Sequence, residues 1–377
     1  MPPDLNVALV HDWMVSRRGG ERVVWAMHEA FPDAPIYTST FDAEALPEFA
    51  DCDVRASYLG RWPFSRFGHE FFSFLRSSVF ESLDLSAYDV VLSSSSAEAK
   101  GVLTRPDTLH VSYIHTPTRY YWSEYQRYLD QPGFGRLNRV VRAAIPAAVR
   151  RRREWDFIAA QRPDRLIANS LNVAARIAKY YRRNADAVIY PPIDTDLFTP
   201  GPDPGRGFLV VSKLIPYKRI ELAVSACRRL GRSLTVIGDG SELARLRKLA
   251  GPETVFAGNV DEATLARHYR QAEALLFPGE EDFGMAPLEA MAAGRPVIAL
   301  GRGGALESVI DGKTGVLFEA QTVESLCDAI ERFDARQFDP LVLRGHAETF
   351  ATPHFVEGVR TYIESAYEAF RSRPPGR

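Results

Sequence analysis

Residues 191–207 carry the sequence PPIDTDLFTPGPDPGRG, with five prolines and three glycines in 17 positions. Proline removes a backbone donor and glycine weakens any regular element, so neither a helix nor a central strand is expected there, and the stretch predicts an interdomain linker. On its N-terminal side, short β-branched or apolar runs alternate with helical stretches: NVALVHDW (6–13), APIYTSTF (34–41), YDVVLSSSS (88–96), LHVSYIH (109–115), RLIANS (165–170) and AVIYPP (187–192). On its C-terminal side the pattern restarts with FLVVSKL (208–214), SLTVIGDG (233–240), TVFAGN (254–259), EALLFPG (273–279), PVIALG (296–301) and TGVLFE (314–319). Such alternation is the signature of βαβ units and parallel sheets. The expectation is therefore an α/β protein with one domain over 1–190, a linker over 191–207 and a second domain over 208–352. A C-terminal helix near 353–371 is expected to return to the first domain. Two such domains would face each other across a cleft lined by the carboxyl ends of both sheets, the default ligand site.

Composition narrows the class. The chain has 377 residues, 46% hydrophobic and 25% charged, which fits a folded globular protein of two domains and excludes wholesale disorder. Cys52, Cys227 and Cys327 lie far apart, so neither a zinc site nor a disulfide framework is expected and a reducing, cytoplasmic location fits. No apolar run reaches the roughly 18 residues of a membrane span, and no basic segment precedes the first strand as in a signal peptide. The net charge of −2 hides an asymmetry. Residues 1–99 carry 7 basic and 15 acidic groups, whereas 100–183 carry 17 basic and 6 acidic, all but two of the basic ones arginine. The basic stretch predicts an anionic partner or surface.

The segment most loaded with chemistry is PGEEDFGMAPLEAMAAGRPVIA, residues 278–299. A strand should end at Pro278 and a helix should open near Ala286 or Pro287 and close at Gly294. Glu281 then lies in the preceding loop and Glu289 in the first turn or so of the helix. The backbone N–H groups of Phe283, Gly284 and Met285 sit where a helix start favours phosphate. Carboxylates accept hydrogen bonds from sugar hydroxyls while N–H groups hold phosphate, which suits a nucleotide sugar; an ordinary acidic loop would read the same way. In VVSKLIPYKRIELAV, residues 210–224, Lys213 and Lys218 follow a strand and could neutralise a pyrophosphate, or simply be solvated. RRGGERVV, residues 17–24, puts Gly19 and Gly20 at a helix start without completing a dinucleotide fingerprint or a P-loop. Gly238 opens a further glycine turn in GDGSEL, and His115 ends a strand where catalytic groups of open α/β sheets gather. Two DxD triplets, Asp51 with Asp53 and Asp194 with Asp196, are read as incidental, so no metal is expected.

Together these segments resemble the glycosyltransferases of family 4, retaining enzymes of the GT-B fold, over nearly the whole chain. EDFGMAPLE matches that family's EX7E motif, and RLIANS, VIYPPIDTDLF, VSKLIPYK, VIGDG, VFAGNV and GGALESVIDGKTGVLF follow in the family's order. The resemblance implies two Rossmann-like domains facing a cleft. It implies Gly20 beside the donor phosphates, His115 beside the transferring sugar, Glu281 on sugar hydroxyls, and Phe283, Gly284 and Met285 presenting N–H groups. It further implies Glu289 on the ribose and Lys218 on the pyrophosphate. Lys213 stands where many members have arginine, a point charge in place of a fork. VALVHDWMVSRRGGERV and YIHTPTRYYWSEYQRYL are similar to bacterial mannosyltransferases that build O-antigen and exopolysaccharide on lipid carriers.

The activity implied by this resemblance is that of a hexosyltransferase, with mannose from GDP-mannose as the moiety transferred and a glycan or lipid-linked glycan as acceptor. The nucleoside diphosphate sugar is the donor substrate; no cofactor, no metal and no nucleic-acid partner are expected. A UDP-sugar transferase, a nucleotide-sugar epimerase or a sugar phosphorylase of the same architecture, and a degenerate transferase kept as a binding subunit, stay open. FGRLNRVVRAAIPAAVRRRR, residues 134–153, interleaves Arg139, Arg142, Arg150, Arg151, Arg152 and Arg153 with apolar positions, and predicts peripheral docking on the inner face of the cytoplasmic membrane, with Pro146 breaking or kinking the helix.

Overall fold

The computed structural model of the chain describes residues 5–16, 19–60, 73–130, 138–201 and 205–372. Arg17, Arg18, Phe134 and Leu137 lie outside the described residues, as do the side chains of Arg139, Val140, Val141, Arg142 and Ile145. The chain divides into two compact units, residues 1–190 with 356–377, and residues 191–355.

In the first unit the elements are β1 (Val7–His11), α1 (Gly19–Ala30), β2 (Ile36–Thr38), β3 (Val54–Ala56), α2 (Ser73–Glu81), β4 (Val90–Ser95), β5 (Leu109–Ile114), α3 (Tyr125–Asp130), α4 (Asn138–Ala159), β6 (Arg165–Ala168), α5 (Leu171–Tyr181) and β7 (Ala187–Val188). Every strand pairing is parallel, in the order β3-β2-β1-β4-β5-β6-β7. β1, β4 and β5 are buried along their whole length, as the central strands of a sheet covered on both faces must be. That is why they read as continuous rather than alternating apolar runs. Some polar residues inside them bond to one another: Ser93 donates to Ser112 Oγ at 2.8 Å and lies 3.0 Å from His110 Nε2.

The second unit contains β8 (Phe208–Val211), α6 (Ile220–Leu230), β9 (Leu234–Ile237), α7 (Leu243–Leu249), β10 (Thr254–Gly258), α8 (Glu262–Gln271), β11 (Ala274–Phe277), α9 (Ala286–Ala292), β12 (Val297–Leu300), α10 (Ala305–Ser308), β13 (Gly315–Phe318), α11 (Val323–Arg332) and α12 (Pro340–Glu348). Its sheet is again all parallel, ordered β10-β9-β8-β11-β12-β13. Side-chain caps start α8 and α11, where Asp261 accepts from Thr264 N–H and Thr322 from Ser325 N–H. Both sheets follow the doubly wound order in which the direction of winding reverses between the first and fourth strands. The reversal falls between β1 and β4 in one unit and between β8 and β11 in the other, the position at the carboxyl edge where ligands of open α/β sheets bind.

The last helix, α13 (Thr352–Arg371), belongs from Val356 onward to the first unit. Phe355, Val359, Ile363, Ala366 and Tyr367 form its buried stripe at helical spacing. Arg360 reaches the Ala30 carbonyl at 3.4 Å, and the Tyr367 hydroxyl donates to Asp89 at 3.1 Å.

Three points add to the sequence reading. β3 was not foreseen, because three half-exposed residues at a sheet edge carry no periodic signal. The proline-rich segment expected as a linker is packed: Ile193 and Phe198 are fully buried, Ile193 pairs with Ala351, and the Arg344 guanidinium holds the Thr195 and Phe198 carbonyls at 3.1 Å. Its composition excludes helix and central strand but not packing, and its described residues belong to the second unit. Finally, of the break or kink expected at Pro146, the break does not occur, because α4 runs through it. One missing N–H costs the helix one bond to the preceding turn, while its C-terminal half is anchored by Trp155 on Glu81 at 2.8 Å and by the wholly buried Asp156.

Candidate active site

In the second unit the switch-point strands deliver the predicted residues to neighbouring loops. β8 leads into residues 212–219, with Lys218 closing a short 3-10 turn, and β11 leads into residues 278–285. The loops touch: a Cβ on Gly279 would lie 2.8 Å from the Lys218 carbonyl oxygen, so the close approach requires glycine. Across this contact the Lys218 ammonium forms an ion pair with the Glu281 carboxylate, with side chains 20% and 7% exposed. Lys218 also lies 5.1 Å from the centre of the Tyr217 ring. Lys213 is solvent-exposed on the same loop.

The glutamate loop is held from several sides. The Glu281 carbonyl accepts from Gly304 N–H at 2.9 Å, in a bridge to Gly303. A side chain on Gly304 would collide with the Phe283 backbone. Gly284 has φ +86°, and a Cβ there would lie 2.6 Å from the Phe277 ring. Phe283 is buried and packs on Phe350 with ring centres 5.8 Å apart, so this residue is anchored by its ring while its backbone forms the approach to α9. α9 opens after Met285, carries Pro287 in its first turn and is followed by Gly294 in the left-handed region. Pro287 has no N–H, and the Leu288 and Glu289 N–H groups donate to the Met285 carbonyl at 3.0 Å, so within its first turn the helix start itself takes up all but the Ala286 N–H. Glu289 lies in that first turn, buried, and accepts from the Tyr269 hydroxyl at 2.7 Å. A hydrogen bond to a carboxylate of this kind contributes about 1.5–3 kcal/mol, and it fixes the rotamer. Gly238 has φ +121° and sits directly against the Ser212 carbonyl, so the turns after β9 and β8 also interlock.

Gln321, just before α11, was not singled out in the sequence. Its amide nitrogen donates to the Pro278 carbonyl at 3.0 Å while its oxygen accepts from Arg219 at 3.2 Å, clamping the β11 loop to the β8 loop. A lone glutamine in a polar turn carries no pattern; only the fold reveals the clamp. Tyr269 and Gly304 escaped for the same reason.

In the first unit, Gly19 and Gly20 are the first two residues of α1. A Cβ on Gly20 would lie 3.4 Å from His11 Cε1, an ordinary contact, so nothing in the protein itself demands glycine there. His115 follows β5 and its Nε2 lies 2.7 Å from Ser94 Oγ; its ring meets Tyr113 edge-on at 5.2 Å and His11 at 6.2 Å. His11 ends β1, with Nδ1 3.0 Å from the Ser94 carbonyl and 3.1 Å from Ser94 Oγ. Burial lowers the His11 pKa, against the opposing pull of Asp12 and the Ser94 carbonyl, so its neutral form prevails at pH 7. Asp12 accepts from the backbone N–H groups of Ser96, Ala97 and Ala99 at 2.6–2.9 Å and so shapes the turn after β4.

The arginine stretch divides in two. Arg150 and Arg151 are exposed, with Arg150 3.1 Å from Glu154, whereas Arg152 reaches Ser77 Oγ at 3.4 Å and Arg153 donates to the Tyr121 carbonyl at 2.8 Å. Arg153 also covers Trp122 and Tyr125 at 5.4 and 5.0 Å. The DxD carboxylates have local work: Asp53 pairs with Arg55 at 2.7 Å, and Asp194 accepts from the Asp196 and Leu197 N–H groups at 3.2 and 3.0 Å. Among the described residues no helix is long and apolar enough to cross a membrane.

Two doubly wound parallel sheets, with a glutamate loop at the switch point of the second, have the architecture of the GT-B fold. More particularly, residues 199–337 match the family Glycosyl transferases group 1. Sequence relatives include the GDP-mannose-dependent alpha-(1-6)-phosphatidylinositol monomannoside mannosyltransferase of Mycolicibacterium smegmatis, 29% identical over 44% of this chain and 54% of the relative. They also include the D-inositol 3-phosphate glycosyltransferase of Gordonia bronchialis, 30% identical over 56% and 54%. The chain spans about half the length of the curated relatives it matches. Among solved structures, sucrose-phosphate synthase from Thermosynechococcus elongatus superposes with a TM-score of 0.72 at 18% identity, covering 97% of this chain and all of the other. Anabaena Alr3699/HepE, in complex with UDP and glucose, gives 0.68 at 17% identity, covering 96% of this chain and all of the other. At these identities the structures speak for the fold.

Proposed function

We propose that the protein is a retaining hexosyltransferase that moves mannose from GDP-mannose to a hydroxyl of a lipid-linked glycan, without a metal ion. The observation that carries this reading is the Lys218–Glu281 ion pair at the switch point of the second unit, eight residues before the buried Glu289. In this reading Lys218, with Lys213, neutralises the departing diphosphate, and the start of α9 supplies N–H groups to it. Glu281 and Glu289 accept hydrogen bonds from sugar and ribose hydroxyls. Glu281 is not a nucleophile; the diphosphate oxygen helps to deprotonate the acceptor, which attacks on the face the leaving group vacates. The mycobacterial relative's use of GDP-mannose supports the donor assignment, and its lipid substrate supports the acceptor class.

The test is a thermal-shift panel of GDP and UDP sugars, followed by donor-hydrolysis assays with excess EDTA. GDP-mannose at 100 times its Kd should add about 2.7 kcal/mol of stability and be slowly hydrolysed in EDTA. Stabilisation by UDP-glucose alone would move the donor assignment to UDP sugars, and activity restored only by manganese or magnesium would replace the metal-free scheme. Dependence on free phosphate, or a product formed without acceptor, would favour a phosphorylase or an epimerase.

We also infer peripheral docking on an anionic membrane through α4. Arg151, Glu154 and Ile158 follow one another at helical spacing, all exposed, with Arg150 and Phe157 beside them. Because Arg152 and Arg153 are engaged within the protein, the informative variant is Arg150→Ser with Arg151→Ser. At roughly 1 kcal/mol per arginine near an anionic surface, this variant should bind phosphatidylserine-containing liposomes about 30-fold more weakly than wild type in low-salt co-sedimentation. Equal sedimentation of both proteins, or binding that ignores salt, would overturn the electrostatic docking.

A further inference from the structure

The histidine pair at the other switch point, in the first unit, has a proton order that its hydrogen bonds dictate. His11 ends β1 directly opposite Ser94 of β4, and His115 follows β5. A carbonyl oxygen can only accept, so the 3.0 Å contact between the Ser94 carbonyl and His11 Nδ1 requires a proton on that nitrogen. The same N–H faces Ser94 Oγ at 3.1 Å, where it can only donate. Ser94 is 1% exposed, and among the described residues the acceptor left for its hydroxyl proton is His115 Nε2, at 2.7 Å. If Nε2 carried a proton instead, the buried hydroxyl would face two donors and its own proton would have no acceptor, a state disfavoured by about tenfold or more.

We propose that Ser94 is a positioning residue that donates its hydroxyl proton to His115 Nε2 and thereby keeps His115 as the Nδ1–H tautomer, a donor at Nδ1. The tautomer of an imidazole is set by the bond its other nitrogen makes, and here that bond belongs to a chain running from His11 Nδ1–H through Ser94 Oγ–H to His115. The lowered pKa of His11 keeps the first member neutral and its polarity fixed. The consequence for catalysis rests on the reading of His115 as a residue beside the transferring sugar. In that position His115 would hydrogen-bond to a sugar oxygen as a neutral donor and would not remove a proton from it.

Imidazole ¹⁵N spectra of the whole protein at pH 8, with the His115 signal assigned by a His115→Gln variant, test the assignment directly. Wild type should show a proton-bearing Nδ1 and a bare Nε2 for His115. Ser94→Ala should move His115 toward the Nε2–H form, and Ser94→Thr, which keeps the hydroxyl, should restore it. With the donor substrate, Ser94→Ala should lower kcat about tenfold, the scale of one hydrogen bond, with the donor KM within twofold of wild type and kcat recovered in Ser94→Thr. A proton on His115 Nε2 in wild type, or a tautomer that ignores Ser94→Ala, overturns the proposal. A tautomer that shifts while kcat stays unchanged overturns its catalytic part. If wild type turns over no nucleotide sugar, the transferase reading falls, and the spectra still decide the proton order.

Discussion

Replacing Lys218 with alanine should lower the turnover of nucleotide-sugar donor by about 100-fold or more, the scale for losing one preorganised group that stabilises charge developing in a transition state. The lysine qualifies as preorganised for three reasons. Its backbone closes the 3-10 turn after β8 and packs against Gly279, its side chain lies beside Tyr217, and its ammonium is paired with Glu281. A free lysine on a loop loses much side-chain entropy when it engages a phosphate; this one is already held. In the proposed reaction the diphosphate gains charge as the glycosidic bond breaks, so Lys218 would bind the leaving group more tightly in the transition state than in the bound donor, and the loss should appear in kcat as well as kcat/KM. The variant also strips Glu281 of its partner, so kcat should be read well below the unfolding temperature, with donor binding followed in parallel. Turnover within threefold of wild type would remove Lys218 from the mechanism.

How much of the fold and site was legible in the sequence depended on distance along the chain. The strand candidates of both halves all contain observed strands, because a central parallel strand is a continuous apolar run. Glu281, Glu289 and Lys218 were each singled out from a local motif, a strand end followed by a loop or a helix start. The interactions that fix those residues were not visible. Tyr269 reaches Glu289 across 20 residues, Gln321 reaches Pro278 across 43, and His11 meets Ser94 across 83. None of these leaves a periodic trace, and each depends on which strands the sheet places side by side. The arginine run shows the opposite limit: four consecutive identical residues look equivalent in a charge count, yet helical geometry turns Arg150 and Arg151 to solvent while Arg152 and Arg153 meet partners in the first unit. Charge patterning locates a basic segment but says nothing of which charges remain available.

Asp156→Ala should be the most damaging single change to the first unit, by about 3–5 kcal/mol, the cost of removing one partner from a buried ion pair. Asp156 and Lys100 are 0% and 1% exposed and lie 2.7 Å apart. The aspartate also accepts from Thr118 Oγ1 and from Trp122 Nε1, both at 2.7 Å. One carboxylate on α4 thus collects the turn after β4, through Lys100, and the segment beyond His115, through Thr118 and Trp122. Alanine would leave an ammonium in the interior with the Ala97 carbonyl, Thr118 Oγ1 at 3.5 Å and the Tyr181 ring as its close partners among the described residues, and would take the acceptor from Thr118 and Trp122. Lys100→Met combined with Asp156→Leu removes both charges while keeping volume, and should recover much of the loss, because the penalty comes from the stranded charge more than from the missing attraction. Recovery should stop short of wild type, since Thr118 and Trp122 still lack a partner. For a unit of this size the single variant should melt on the order of 10 °C lower. An Asp156→Ala protein within about 1 kcal/mol of wild type in urea unfolding would mean that water reaches Lys100. A double variant no more stable than the single one would assign the cost to the hydrogen bonds of Thr118 and Trp122, and the segment beyond His115 would then owe its position to them.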